Sequence, residues 1–171
     1  MQQLAALNSI IIMGVAGSGK STVGAMLAKT LGWHFIEGDD FHSEQAKSMM
    51  AAGIPLTEAL RDSWVLALCH QLQHYKSTGQ QCVLSYSGLI AKHRQAIRQA
   101  GAKTQFFYLQ GSEAVLSARL AARKNHFMPA SMLQSQLGTM QSCDNEADIC
   151  CLDISLSATQ LVEHILAFQP A

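Results

Sequence analysis

The sequence carries little charge. Asp, Glu, Lys and Arg make up 14% of it, and 12 basic side chains balance 12 acidic ones for a net charge of zero with His neutral. No global field draws such a chain to nucleic acid or to an anionic membrane, so any affinity for phosphate must be local. A long apolar run and a basic leader are also missing, which argues against a signal peptide and a membrane span. Cysteine is poorly spaced for bridges or metal. Cys69, Cys82, Cys143, Cys150 and Cys151 are odd in number, two are adjacent, and no Cys-x-x-Cys occurs. The expectation is a reduced, cytoplasmic protein whose buried thiols act as small hydrophobes. Only three prolines are present, and no repeat, low-complexity tract or Pro-rich linker divides the chain. Its 171 residues, 49% of them hydrophobic, suit a single domain with a substantial core.

What is present is an alternation of short apolar strands with amphipathic helices. Strands are expected at 9–13, 34–37, 81–86, 105–109 and 149–154, and helices at 21–31, 43–52, 57–77, 90–100, 113–123, 131–140 and 158–168. Thr57 reads as the cap of the longest helix. This order implies right-handed βαβ units and a parallel five-stranded sheet with helices on both faces. Ligands of such sheets bind outside the carboxyl ends of the strands. Three polar groups fall there: residues 14–21, Gly38-Asp39-Asp40, and residues 85–88.

The first group is decisive. Gly14-Val15-Ala16-Gly17-Ser18-Gly19-Lys20-Ser21 matches G-x-x-x-x-G-K-[ST], a Walker A phosphate loop, between an expected strand and an expected helix. Its glycines let successive backbone N–H groups turn inward toward phosphate oxygens, and the helix N-terminus adds partial positive charge. Gly14 through Thr22 are thus candidate nucleotide contacts. Lys20 is placed to reach the β- and γ-phosphates, and the Ser21 hydroxyl to ligate Mg²⁺.

Phosphoryl transfer needs positioning and charge neutralisation more than covalent help. Asp39, directly after the second strand, is the candidate carboxylate for the attacking hydroxyl. Glu37 or Asp40 is a candidate for Mg²⁺ through water. Arg119 and Arg123 are spaced i, i+4 on one helix face, and with Lys124 and His126 they make residues 119–127 strongly cationic. That segment reads as a lid, near 119–140, closing over the phosphates, with Arg119 on the nucleotide and Arg123 in a catalytic role. Arg61 and Arg94 are candidates to hold a substrate carboxylate or phosphate. His42 and His126 are candidate polar contacts to substrate. Arg98 is expected to face solvent. His70 and His74 are also i, i+4, but lack the Glu of H-E-x-x-H and read as ordinary helix residues.

Taken together, these motifs resemble one family. The phosphate loop, then Glu37-Gly38-Asp39-Asp40-Phe41-His42, Gly53-Ile54-Pro55-Leu56, Arg61, Trp64, Ala122-Arg123-Lys124-Asn125-His126-Phe127 and Met132-Leu133-x-Ser135-Gln136 resemble the small gluconate kinases. These are P-loop kinases close to shikimate kinase and the nucleoside monophosphate kinases. The likeness runs in order over residues 9–155. It implies transfer of phosphate from ATP to D-gluconate with Mg²⁺, in a cytosolic homodimer. It assigns Lys20 and Ser21 to phosphate and metal, Asp39 to the 6-hydroxyl, Arg61 to the sugar acid, and Arg119 and Arg123 to the lid. This chain departs from the family pattern at Ala59-Leu60, where acids are usual, and at Ile90, where lysine is usual. Position 141-142-143 differs too, with Gln141-Ser142-Cys143. Two other readings stay open: a shikimate-kinase-like or other small-polyol-acid kinase, and an ATP-binding pseudoenzyme.

Overall fold

The computed structural model describes residues 4–122 and 131–169. Arg123, Lys124 and His126, and with them residues 123–130 of the expected lid, lie outside the described residues. The elements are β1 (Ser9–Met13), α1 (Lys20–Leu31), β2 (His34–Glu37), α2 (Glu44–Ala51), α3 (Glu58–Ser77), β3 (Cys82–Tyr86), α4 (Ala91–Gly101), β4 (Thr104–Gln110), α5 (Glu113–Ala122), α6 (Ser131–Thr139), β5 (Ile149–Asp153) and α7 (Ala158–Ala167). The five strands are all parallel, in the order β2-β3-β1-β4-β5.

β1 is central, and all five of its residues are buried. A parallel strand covered on both faces must be apolar throughout, which is why Ile10-Ile11-Ile12-Met13 shows no alternation. The pleat still sorts its side chains. Ile10 and Ile12 join Val83 and Phe107 under α1 and α7, against Val23, Leu27, Leu161 and Ile165. Ile11 and Met13 join Leu84, Tyr86 and Phe106 under α3 and α4, against Trp64, Leu68, Leu72 and Ile97.

Caps follow side-chain chemistry. The Thr57 hydroxyl accepts from Leu60 N–H at the start of α3, as expected, and Ser157 and Gln160 form a reciprocal capping box on α7. α1 differs: Gly19 stands at its N-cap in a left-handed conformation, and no side chain caps it. Its first N–H groups are left for a ligand. Gly38-Asp39-Asp40 opens a short 3₁₀ helix, Gly38–Phe41. Gly38 is required there, because a Cβ would sit 2.3 Å from the Ser85 carbonyl oxygen.

Two expectations are corrected. Arg98 does not simply face solvent. Its guanidinium pairs with Asp148 at 2.6 Å and Glu146 at 2.8 Å, and lies over the Phe106 ring. The thiols are not all buried: Cys69 and Cys82 are, Cys143 and Cys150 are half-buried, and Cys151 is exposed on β5, an edge strand. All five are free. Among the described residues no helix is long and apolar enough to cross a membrane.

Candidate active site

The glycine loop joins β1 to α1 at the carboxyl end of the sheet, and it fits a nucleotide phosphate. At Gly14, φ is +151°, and a Cβ would lie 2.7 Å from Ser18 Oγ and 2.8 Å from the Leu109 carbonyl oxygen, so only glycine lets the loop close. Ser18 Oγ is buried with no partner among the described residues. The Lys20 ammonium reaches back to the Val15 carbonyl at 3.1 Å, curled over the loop it would serve. Gly14 N–H donates to the Ser87 carbonyl at 3.2 Å, tying the loop to the end of β3.

Arg119, on α5, lies beside this loop as expected. Its Nη1 comes within 3.8 Å of where a Gly19 Cβ would stand, and its Nη2 donates to the Ile154 carbonyl. Gly17, Gly19, Thr22 and Arg119 share a hollow of about 790 Å³ with Leu156, Ser157 and Ala158. Those last residues follow β5. They were not singled out from sequence, although their place after a strand's carboxyl end was a usable signal. The arrangement offers a cation and an apolar wall beside the phosphate loop, which suits a nucleoside.

A second cleft is lined by Asp39, His42, Arg61, Trp64, Ser87, His93 and Gln136, with Met50, Leu56, Leu89 and Met132 as its apolar part. Asp39 is held in place by its neighbours. Trp64 Nε1 donates to the Gly38 carbonyl at 2.7 Å, pinning the 3₁₀ turn to α3. The Glu37 carboxylate accepts from Asp39 N–H at 3.4 Å and from the Ser85 hydroxyl at 2.6 Å. His42 stacks on Trp64 with ring centroids 4.2 Å apart, and its Nε2 lies 3.9 Å from Asp39 Oδ1. Burial, aided by nearby Lys47, lowers the His42 pKa from 6.5 to about 4. His42 Nδ1 has no partner among the described residues. A neutral imidazole with an open nitrogen beside a carboxylate is a hydrogen-bonding group for a hydroxylated ligand. Asp40 is exposed and borders a separate hollow with Lys47 and Ser48.

Arg61 enters the cleft from the first turn of α3, but Arg94 does not line it, contrary to the sequence reading. Its side chain is fully buried: Nε donates to Glu146 at 2.9 Å, Nη1 to the Gly88 carbonyl at 2.8 Å, and Nη2 to the Ser142 carbonyl at 3.0 Å. α4 turns this arginine inward onto residues 142–146, and Glu146 neutralises it there. His93 and Gln136 were missed as individual residues. His93 is buried on α4, and its Nε2 lies 2.6 Å from Asp62 Oδ1 on α3. Gln136, on α6, lines this cleft and accepts from Ala16 N–H through Oε1 at 2.6 Å, which ties the cleft to the glycine loop. Its signal in the sequence was only its place in the Met132–Gln136 segment. Among the described residues no cluster of three or more His, Cys, Asp or Glu side chains could hold a metal alone.

Comparison with known proteins agrees with this geometry. The shikimate kinase family model matches residues 16–169. A gluconokinase from Gluconobacter oxydans is 43% identical over 133 residues, covering 77% of this chain and 74% of its own. A probable gluconokinase from Xenopus tropicalis is 34% identical, covering 91% of this chain and 90% of its own. This chain belongs to the gluconokinase family. The crystal structure of a gluconokinase from Sinorhizobium meliloti 1021 superposes with a TM-score of 0.84 at 37% identity, over 94% of this chain and 90% of its own. Membership makes this chain a P-loop kinase, a phosphotransferase that uses ATP and an alcohol acceptor. The gluconokinase fold places the donor loop and the Asp39 cleft side by side, joined through Ser87 and Gln136.

Proposed function

We propose that this chain transfers the terminal phosphoryl group of ATP to D-gluconate, giving 6-phospho-D-gluconate. The observation that carries the reading is the cleft in which Asp39 and Arg61 stand together, joined to the glycine loop. A sugar acid has a hydroxyl at one end and a carboxylate at the other, and the cleft offers a carboxylate and a guanidinium to match them. Asp39 orients the 6-hydroxyl and accepts its proton, Arg61 pairs with the acid, and His42 hydrogen-bonds the chain between. Lys20 and Arg119 neutralise charge on the phosphates. Mg²⁺, when bound, supplies further charge neutralisation there, with the Ser21 hydroxyl as its protein ligand and Glu37 or Asp40 acting through water. Arg94, being spent on Glu146, takes no part in holding substrate. The proposal extends to a single domain with a lid near 119–140, and to a cytoplasmic homodimer, which sedimentation equilibrium tests.

A coupled assay of ADP release decides the acceptor. D-gluconate is expected to turn over faster than shikimate, other sugar acids or nucleoside monophosphates, and Asp39→Asn to lower kcat by about 10²- to 10⁴-fold. Faster turnover of shikimate would overturn the assignment. ATP binding without turnover on any acceptor would identify a pseudoenzyme.

A further inference from the structure

We propose that Gln136 is a positioning residue for phosphoryl transfer, its amide oxygen holding on Ala16 N–H the place of a terminal-phosphate oxygen. The inference rests on the kinase reading of the same site. Ala16 lies in the middle of the glycine loop and Gln136 on α6, 120 residues away, yet Ala16 N–H donates to Gln136 Oε1 at 2.6 Å. Amides of such a loop point to where phosphate oxygens settle. A side-chain oxygen that accepts from one of them occupies an anion's position. The same side chain lines the cleft of Asp39 and Arg61. The transferred group must pass from the loop to a hydroxyl in that cleft, and a residue touching both stands on that path. The inner phosphates settle on the amides at the start of α1, from Gly19 onward, whereas Ala16 N–H meets Gln136 on the side of the loop that faces the acceptor cleft, where the terminal phosphate must lie.

A triphosphate therefore competes with Gln136 Oε1 for the Ala16 N–H, and a diphosphate does not. Displacement of Gln136 is the event by which α6 registers ATP rather than ADP. The amide so released faces the acceptor cleft.

Calorimetry with Mg²⁺ and no acceptor tests this, comparing ADP with the β,γ-imido analogue of ATP on wild type, Gln136→Glu and Gln136→Ala. Glutamate keeps the oxygen and adds a negative charge at that place. It should weaken the analogue by about tenfold or more and ADP by less than about twofold. Alanine removes the competitor and should tighten the analogue by about two- to fivefold while leaving ADP unchanged. A structural role alone would move both nucleotides together, so parallel shifts, or no shift in either, would overturn the proposal. Should the glutamate variant not fold by circular dichroism, the alanine variant decides by the same criterion. Because no acceptor is present, failure of gluconate as substrate leaves this result standing, and failure here leaves the assignment of acceptor intact.

Discussion

Trp64 and Glu37 fix the turn that carries Asp39, and His42 completes that packing. His42 also makes the site sensitive to acid. Its pKa is near 4 in the folded chain and 6.5 when exposed, so between those values the unfolded chain binds a proton that the folded chain refuses. Stability is therefore lost as pH falls from 6.5 toward 4 and is unaffected by this group above that range. Denaturant titrations at pH 7 and pH 4.5 should show a loss on the order of 2 kcal/mol that is absent from His42→Phe, which keeps the stack on Trp64. An equal loss in both proteins would assign the acid sensitivity elsewhere. At this scale the sequence was partly legible. That Asp39 and Arg119 border the clefts could be read from their positions, one after a strand and one near the end of a helix, which restrict where they can stand. His93 and Asp62 meet from separate helices, 31 residues apart, and no local pattern announces that.

α4 was legible as a helix but not in its orientation. Periodicity said that residues 90–100 form a helix, and the structure adds that Arg94 is on its buried side. The partner that makes this possible, Glu146, sits in an irregular stretch with no pattern of its own. Removing it leaves a buried guanidinium without its countercharge. Glu146→Ala is expected to cost roughly 3 kcal/mol in urea unfolding, and Arg94→Met with Glu146→Leu to recover most of it. If the double variant is no better than the single one, Arg94 is held by its carbonyl partners, Gly88 and Ser142, rather than by charge.

The whole fold was legible because its rule is topological: strands alternate with helices, and right-handed crossovers leave few arrangements open. The clefts were legible only in outline, since the walls of one come from α3, α4 and α6 and those of the other from α1, α5 and α7, whose packing no single stretch of sequence encodes. With the donor loop built on the central strand, nucleotide binding should brace the whole sheet. ADP at about 100 times its Kd is expected to stabilise the protein by about 2.7 kcal/mol, raising Tm by roughly 5–10 °C. Lys20→Ala should lose most of that shift in a thermal melt with and without ADP. An undiminished shift would mean that the nucleotide is held elsewhere.

The central place of β1 has a consequence for how the protein is made. Ser9 pairs with Cys82 on one side and Thr104 on the other, so β1 leaves the ribosome before both of its neighbours and cannot be flanked on both sides until the chain reaches residue 104. At about 5–20 residues per second, that is a wait of roughly 5–20 s. Until β3 is made, Ile10, Ile11 and Ile12 are a bare, sticky segment, and until β4 is made they remain open on one side. The yield of this protein in a cell should therefore depend on how well the nascent chain is chaperoned, more than on how stable the finished kinase is.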